Sequence, residues 1–485
     1  MKSNVDIKDI KNAKRKIYKR THPYTILSSL YRFAFLLIIP VLQSLLFNST
    51  NIIDTITSLG FNILFIVLLI LIAFLSYKKT FYNLSNKKLS IKKGFIITST
   101  NFIPYKNITS IFVQKNILPA MFNCVKIYID TAGAKTRKSD FYILLTFNKA
   151  SNLVKSIFNV KNNDYIYKYK SSIWRIFLMG LTWSNSITGL LLFAPFVKNS
   201  GVILGQEYSN RLYEGVNIAV YIASIGLPPA TAYIAGILVF GYAVALIVQI
   251  FRYGRFSFEI NENILRIKRG LVDRAIFTTN INHINSISIN QSFLMILLKL
   301  KSVYINTIGL GKTKGDKRLL SPVERTTKAE EILSQIIDIK GKIEKEIRPQ
   351  SNRIISYLLS PFIGLLLNFP VYYILKQIGI TSDILELSIT LSLLLMSLWL
   401  IFRFIAYKKS KIVKYEKGYV AVEFKRMNII ENRITKEKVQ QIEIRQSLIQ
   451  QKYKSCHVII YVYGEKKTKH VIRHLEYKDA ICLIE

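Results

Sequence analysis

The sequence predicts an α+β membrane protein with six transmembrane helices in three pairs, each pair followed by a small β-rich unit that ends in a helix. Two patterns lead to this fold class. Six apolar stretches are each long enough to cross a bilayer, and the segments after the pairs repeat one alternating pattern. The composition agrees, because half of the 485 residues are apolar while 68 Lys and Arg against 29 Asp and Glu give a net charge of +39. That combination is unusual for a soluble protein.

The distribution of charge predicts how the apolar stretches are oriented. The short links inside the first and third pairs carry almost no positive charge, whereas the segments between pairs are rich in Lys and Arg. The positive-inside rule therefore places the N-terminus and every β-rich unit in the cytoplasm. The longer link of the second pair contains an apolar run, 215–229, which we interpret as re-entrant, interfacial or part of a longer fourth helix. The six stretches are Tyr24 to Phe47, Leu59 to Tyr77, Trp174 to Val197, Thr231 to Phe251, Ile355 to Leu375 and Leu385 to Ala406.

These stretches divide the chain into alternating membrane and cytoplasmic parts. We expect a basic N-terminus, three helix pairs, of which the second carries the long outer link, and three β-rich domains. In chain order the predicted boundaries are 1–23, 24–77 (pair 1), 78–160 (domain 1), 174–251 (pair 2), 252–340 (domain 2), 355–406 (pair 3) and 407–485 (domain 3).

The three β-rich segments align without a gap from one anchor residue in each copy, Ile108, Ile284 and Val439. A glycine follows each anchor by 25 residues, and in the first two copies another glycine precedes it by 14 residues, at the end of KKG or KRG. A glycine at such a turn can supply the positive φ of a hairpin. The alternation between these glycines predicts a curved antiparallel sheet closed by a helix. The repeated glycines are Gly94 and Gly270 before the anchor, and Gly133, Gly309 and Gly464 after it.

The centre of each copy carries a recurrent motif, seen best in INSISINQSFL with VYINTIG and in IEIRQSLI with VIIYVYG. This layout resembles the YdbT-like bacterial membrane proteins with repeated PH-like (bacterial pleckstrin-homology) domains. The resemblance covers nearly the whole chain. It implies a PH-like β-sandwich or partly open barrel with a C-terminal helix, a membrane role and no catalytic activity. The Gln-Ser pair of the motif is Gln291 with Ser292 and Gln446 with Ser447, whereas the first copy has Lys115 and Asn116.

Catalytic and cofactor motifs are not found in the sequence. It has no phosphate-binding loop and no dinucleotide-binding glycine fingerprint, so we expect neither enzymatic activity nor a cofactor. The closest histidine pair, His470 and His474, has no intervening Glu and no third ligand, so we expect no metal site. Nucleic acid is not an expected partner, because the basic residues border apolar stretches and no nucleic-acid-binding motif is legible.

Pairs of basic residues occupy equivalent or nearly equivalent turns in the three copies. Each cation held near an anionic inner leaflet contributes on the order of 1 kcal/mol, so these turns are candidates for contacts with lipid or a partner. They could equally be solvated charges that serve only the positive-inside rule. The pairs are Lys92 with Lys93, Lys268 with Arg269, and Lys425 with Arg426.

Repetition of weak modules on one anchor favours a non-enzymatic scaffold, because linked modules bind with high effective concentration. Its expected partners are the anionic lipid surface or a membrane protein. Two other functions remain open at this point. The chain could be a transporter or export component whose domains regulate a path between the helices, or it could protect the envelope against membrane-active peptides.

Overall fold

A computed structural model describes most of the β-rich chain and parts of its apolar segments. The described residues are 18–30, 67–85, 87–94, 97–131, 141–159, 165–183, 229–307, 318–337, 339, 341–378, 382–425, 428–462 and 468–483.

The strands lie in three groups along the chain, one for each copy of the repeat. They are β1 Lys19–Arg20, β2 Phe81–Ser85, β3 Lys88–Lys93, β4 Ser99–Pro104, β5 Ile108–Lys115, β6 Cys124–Thr131, β7 Phe141–Thr146, β8 Tyr167–Lys170, β9 Ser257–Asn261, β10 Ile264–Arg269, β11 Arg274–Asn280, β12 Ile284–Ser292, β13 Leu300–Thr307, β14 Arg318–Arg325, β15 Ile343–Ile347, β16 Lys411–Tyr415, β17 Gly418–Lys425, β18 Asn428–Thr435, β19 Val439–Arg445, β20 Ser455–Val462 and β21 Thr468–Glu476.

Helices of two kinds accompany the strands: apolar helices, and short helices that connect or close the sheets. They are α1 Tyr24–Leu30, α2 Val67–Lys78, α3 Ile117–Met121, α4 Phe147–Phe158, α5 Ile173–Trp183, α6 Pro229–Tyr253, α7 Phe293–Leu297, α8 Thr326–Ser334, α9 Ile354–Gln377, α10 Ser382–Lys409, α11 Leu448–Lys452 and α12 Tyr477–Ile481.

The expectation of six transmembrane helices in three pairs is wrong. In the part of the chain that the structure describes, one helix, Ser351–Gln377, is long and apolar enough to cross a membrane. Three shorter apolar helical stretches, of 10 to 17 residues, are described there as well. An apolar sequence predicts that a stretch can enter lipid, but it does not predict that the stretch forms one continuous helix of about 20 residues. The shorter helices are Val67–Lys78, Ile173–Thr182 and Phe240–Tyr253.

Several of the predicted membrane segments lie wholly or partly outside the described residues. This applies to the stretches that begin at Tyr24, Leu59 and Trp174 and to most of the outer link with its apolar run 215–229.

The chain folds into two compact units. The first comprises Met1–Ile166, Asn261–Arg266 and Val272–Asn280, and the second comprises Tyr167–Ile260, Ile267–Leu271 and Ile281–Glu485. The division does not follow the copies of the repeat, because residues of the second copy belong to both units.

The first unit contains two antiparallel sheets. One has the strand order β1-β2-β3-β4, and in the other β7, β6 and β5 are followed by β11. The alternating apolar residues of the first copy face a common core, in which Leu89, Ile111, Ile127 and Leu153 are fully buried. Helix α4 closes this core, as expected for a sheet that must cover its apolar face.

The second unit contains a seven-stranded antiparallel sheet, in the order β14-β13-β12-β18-β17-β16-β15, and a three-stranded sheet, β19-β20-β21. Cys456, Val458 and Ile472 lie in a core that joins the two sheets. A second core packs Phe402 of α10 on Val420 of β17, so it ties the apolar helix to the sheet.

Neighbouring copies share a sheet through the same pair of strands at two junctions. Strand β5 of the first copy pairs with β11 of the second, and β12 of the second copy pairs with β18 of the third. The register is identical, because Ser110 lies opposite Thr279 at the first junction and Ser286 lies opposite Ile434 at the second. At both junctions, the residue two positions after the anchor of one copy lies opposite the residue five positions before the anchor of the following copy.

Each apolar segment is bracketed by two strands that pair with each other. Strand β15 precedes α9 and β16 follows α10, and they pair from Ile343 opposite Tyr415 to Ile347 opposite Ile412. Strands β1 and β2, and β8 and β9, pair in the same way. The chain therefore leaves a sheet and returns beside its point of departure.

Candidate functional site

Two of the predicted basic turns are engaged in contacts within the fold. The Lys93 ammonium donates a hydrogen bond to the carbonyl oxygen of Tyr142 and lies 4.2 Å from the centroid of the Tyr142 ring. Lys268 lies 2.6 Å from the carboxylate of Glu259, which is only 4% exposed. The Arg269 guanidinium lies 5.2 Å from the centroid of the Tyr253 ring. These contacts leave less of the charge available to an external ligand.

The third turn differs. Lys425 ends β17 and lines a cavity of about 260 Å³ together with Arg403 and Arg473. Arg426 lies outside the described residues, as do the three glycines that follow the anchors. The glycines before the anchors take left-handed backbone conformations, with φ of 125° at Gly94 and 100° at Gly270.

The Gln-Ser pair of the motif has a structural role. Gln291 donates its side-chain amide to the carbonyl oxygen of Leu300 at 2.9 Å, and Gln446 bonds Ser455 in the same way at 2.8 Å. Each amide thus ties the end of one strand to the start of the next. No external ligand is needed to explain the glutamine.

The serine of the pair caps the short helix that follows. Ser447 accepts a hydrogen bond from the backbone amide of Gln450, whose side chain accepts one from the Ser447 amide, so the two form a capping box. Ser292 accepts a bond from the Met295 amide in the second copy. Asn116 of the first copy makes no capping bond, so the departure of that copy from the motif removes one cap.

The histidines noted in the sequence are separated by the structure. His470 Nδ1 lies 3.0 Å from Glu423, whereas the ring of His474 packs edge-on against His457 with 4.9 Å between centroids. Burial, and after it the neighbouring His457, lowers the pKa of His474 to about 4. Within the described part of the chain, no group of three potential ligands could hold a metal ion.

A larger basic cavity lies where β12 of the second copy meets β18 of the third. This seam cavity has a volume of about 490 Å³. Its walls come from β12, α7 and β13 on one side and from α10, β16, β17 and β18 on the other. The charged residues that line it are Lys299, Lys301, Arg348, Lys408, Lys409, Lys411 and Glu431.

Some of these cations are neutralised by neighbouring carboxylates. Lys301 lies 3.4 Å from Glu330 and 3.9 Å from Glu431, and Arg433 lies within 2.8 Å of both carboxylates. Arg348 and Lys411 lie 2.8 and 3.1 Å from Glu346.

Three lysines of the seam cavity have no described carboxylate within ion-pair distance. Lys299, Lys408 and Lys409 form no ion pair with any carboxylate that the structure describes. A cluster of like charges of this kind favours binding of an anion.

The seam cavity opens beside the base of the apolar helices. Lys408 and Lys409 are the last residues of α10 and follow its apolar stretch. Phe293 of α7 packs edge-on against Phe402 of α10, with 5.9 Å between ring centroids. The exposed leucines of this region, Leu294, Leu297 and Leu298, lie on or directly after α7, and Leu297 is 71% exposed.

The backbone at Lys299 has φ of 54°, and the equivalent residues Asn123 and Lys454 have φ of 53° and 50°. All three follow their anchors by 15 residues, so the repeat alignment could have identified this position. The other lysines come from distant strands and a helix, and only the pairing of two copies brings them together.

Comparison with known proteins agrees with this architecture. The family described as "Bacterial PH domain" matches residues 34–159, 215–339 and 365–483. The chain is also 21% identical over 423 residues to "UPF0699 transmembrane protein YdbT" of Bacillus subtilis (strain 168), covering 81% of this chain and 82% of that protein. No solved structure matches the chain.

Proposed function

Because this chain belongs to the bacterial PH domain family, as a YdbT-like membrane protein with three such domains, we propose that its seam cavity binds the headgroup of an anionic lipid. The chain would then act as a non-enzymatic membrane scaffold. The observation that carries this proposal is the excess of lysines in the seam cavity, at the base of the apolar helices.

The size and chemistry of the seam cavity suit a phosphate-bearing headgroup. Its volume of about 490 Å³ falls within the range of small-molecule sites, roughly 300 to 1,000 Å³. Lysine ammonium groups bind phosphate as mobile point charges. Each contributes on the order of 1 kcal/mol near an anionic surface.

The exposed leucines support the same proposal from the apolar side. Leu294, Leu297 and Leu298 lie next to Lys299, so apolar side chains and a cation are presented together. Burial of apolar area contributes roughly 25 cal/mol per Å², and amphipathic surfaces of this composition favour the bilayer interface. The leucines would enter the acyl boundary while the lysines meet the phosphates.

We also propose that α9, the described helix that is long and apolar enough to cross a membrane, does so and that α10 leads the chain back to the sheets, with the N-terminus and the sheets on the cytoplasmic side. Strands β15 and β16 pair at the base of the two helices, so a chain that crosses in α9 must return in α10. The 28 residues of α10 measure about 42 Å at 1.5 Å per residue, longer than the hydrocarbon core. Lys408 and Lys409 at its end favour the cytoplasmic side.

The experiment uses the purified full-length protein and a fluorescent short-chain phosphatidylglycerol in detergent. The test variant combines Lys299→Asn, which copies the residue of the first repeat at a left-handed position, with Lys409→Gln. We expect roughly 30-fold weaker binding, because two cations contribute on the order of 1 kcal/mol each.

The control variant combines Lys155→Gln with Lys436→Gln, two exposed sites away from the seam cavity. It should bind like the wild type. Equal affinity of the wild type for phosphatidylcholine, or equal loss in test and control variants, would show that the seam cavity is not a site for anionic headgroups. Displacement by millimolar inorganic phosphate would indicate a site for the free anion instead.

A further inference from the structure

Two terminal strands lack a neighbour that their equivalents in the other copies of the repeat have. Among the described strands, β4 lies at one end of the sheet β1-β2-β3-β4, and β19 lies at one end of the sheet β19-β20-β21. Open strand edges present backbone donors and acceptors to any chain that can pair with them.

The repeat shows which kind of strand fits each edge. Strands β5 and β12 occupy the position of β19 in their own copies, and both pair with a strand from the following copy. Strands β11 and β18 are those partners, and each occupies the position of β4. Within one molecule, a strand equivalent to β19 therefore pairs twice with a strand equivalent to β4, and the register is the same both times.

Residues of β4 and β19 are more exposed than the equivalent residues at the two formed junctions, as expected where a neighbouring strand is lacking. Phe102 of β4 is 64% exposed, whereas its equivalents Thr278 and Arg433 are buried at the two formed junctions. Ile442 of β19 is partly exposed, while the equivalent Ile111 and Ile287 are both 0% exposed.

The register of the formed junctions places Phe102 directly opposite Ile442. This pairing would put two large apolar side chains side by side on one face, a favourable cross-strand contact. Strand β4 contains no charged residue, although charges are a common protection of open edges. Glu443 and Arg445 of β19 would face Asn101 and Ser99, so no like charges meet.

We propose that β19 of one molecule pairs antiparallel with β4 of a second copy of this chain, joining molecules head to tail through the same strand junction that joins the repeats within a molecule. The identical register of both formed junctions identifies the occupant as a β4-type strand. Such a contact is heterologous, so it builds closed rings or open rows of molecules. This inference does not depend on lipid binding at the seam cavity.

The test is a disulfide cross-link between two differently tagged full-length copies expressed together. One copy carries Asn101→Cys and the other Glu443→Cys, which the register places opposite each other. Cys124 and Cys456 can remain, because burial raises their pKa to about 12 and about 11 and keeps them as unreactive thiols. Cys482→Ala removes the more accessible thiol.

We expect mild oxidation to give a dimer that carries both tags. The matched control replaces Glu443→Cys by Lys469→Cys on β21, at the opposite edge of the same sheet, and should give roughly tenfold less dimer. A chain with Asn101→Cys and Glu443→Cys together that cross-links only within itself would overturn the proposal. Cross-linking of either cysteine only to a different protein would also overturn it.

A second measurement tests the interface without cysteines. Phe102→Lys places a charge where the register requires an apolar contact with Ile442, at a site that is exposed in the single molecule and so tolerates it. Mass photometry of the solubilised protein should show the wild type in multiples of the monomer and the variant mainly as monomer. A wild type that is monomeric, or an unchanged variant, contradicts the proposal.

Discussion

At the scale of single residues, the imidazole of His474 packs against aromatic rings in the third domain in a position that favours its neutral form. Its ring packs between His457 and Tyr357, with 4.9 and 5.4 Å between ring centroids. Burial disfavours the imidazolium form in this position, as do the neighbouring His457 and Arg473, and the pKa falls to about 4. Protonation of the ring is therefore disfavoured while this packing persists.

This arrangement predicts a loss of stability on acidification. A histidine whose pKa is lowered from 6.5 to about 4 stabilises the fold fully above pH 6.5 and loses that contribution as the pH falls toward 4. After allowance for solvent screening, we expect a loss of about 1 kcal/mol between pH 7.5 and pH 5. Thermal unfolding of the solubilised protein at both values measures it.

The variant His474→Asn should flatten this dependence. Asparagine does not titrate in this range and tolerates the left-handed backbone of this position, where φ is 59°. Its midpoint of unfolding should therefore fall less between the two pH values than that of the wild type. Equal falls in the two proteins would show that His474 is not the group responsible.

At the scale of elements, the short helices α3, α7 and α11 occupy equivalent positions in the three copies of the repeat but differ in their N-terminal caps. The capping box of Ser447 holds the first turn of α11, whereas Asn116 provides no side-chain bond to α3. Loss of a helix cap typically costs about 1 kcal/mol. The two copies therefore form an internal comparison.

We expect Ser447→Ala to destabilise α11 by about 1 kcal/mol and Asn116→Ala to leave α3 nearly unchanged. Hydrogen exchange of the amides of Gln450 and Gln451 should be faster in the first variant. The amides of α3 in the second variant provide the control. A similar effect of both substitutions would mean that the bonds of the capping box contribute little.

The sequence predicted the strands and turns of each copy better than it predicted which strands pair with one another. The anchors, the alternation of β5, β12 and β19 and the turns at Gly94 and Gly270 are local patterns, and the structure has strands and left-handed glycines at those positions. The strands before the apolar segments, such as β15 with the sequence IEKEI, have no apolar alternation. These strands are recognised only from the structure, in which each pairs with a strand after the apolar segment; β15 pairs with a strand more than sixty residues later.

At the scale of the whole molecule, the candidate site was the least predictable part. The basic turns were visible because lysines and arginines are adjacent in sequence, yet Lys93, Lys268 and Arg269 contact the fold itself. The lysines of the seam cavity are spread over more than a hundred residues. They lie close together because strands of the second and third copies pair in one sheet. No local sequence pattern predicts that pairing.

The proposed hairpin of α9 and α10 predicts which residues are accessible from each side of the membrane. Single cysteines at Lys342 and Lys417, beside the paired strands, should react with an impermeant maleimide only from the cytoplasmic side. A cysteine at Ile378, an exposed residue in the link after α9, should react only from the outer side. Labelling of all three positions from one side would contradict the hairpin.

The paired strands at the base of α9 and α10 also define how this protein would respond to a mechanical load. Ile347 and Ile412 form the pair of residues nearest the two helices, and the other pairs of β15 and β16 lie behind them. A lateral pull that separates the helices would therefore break the ladder one residue pair at a time, beginning at Ile347. Because Lys411 precedes Ile412 and lines the seam cavity, the first pair to yield adjoins the cluster of lysines.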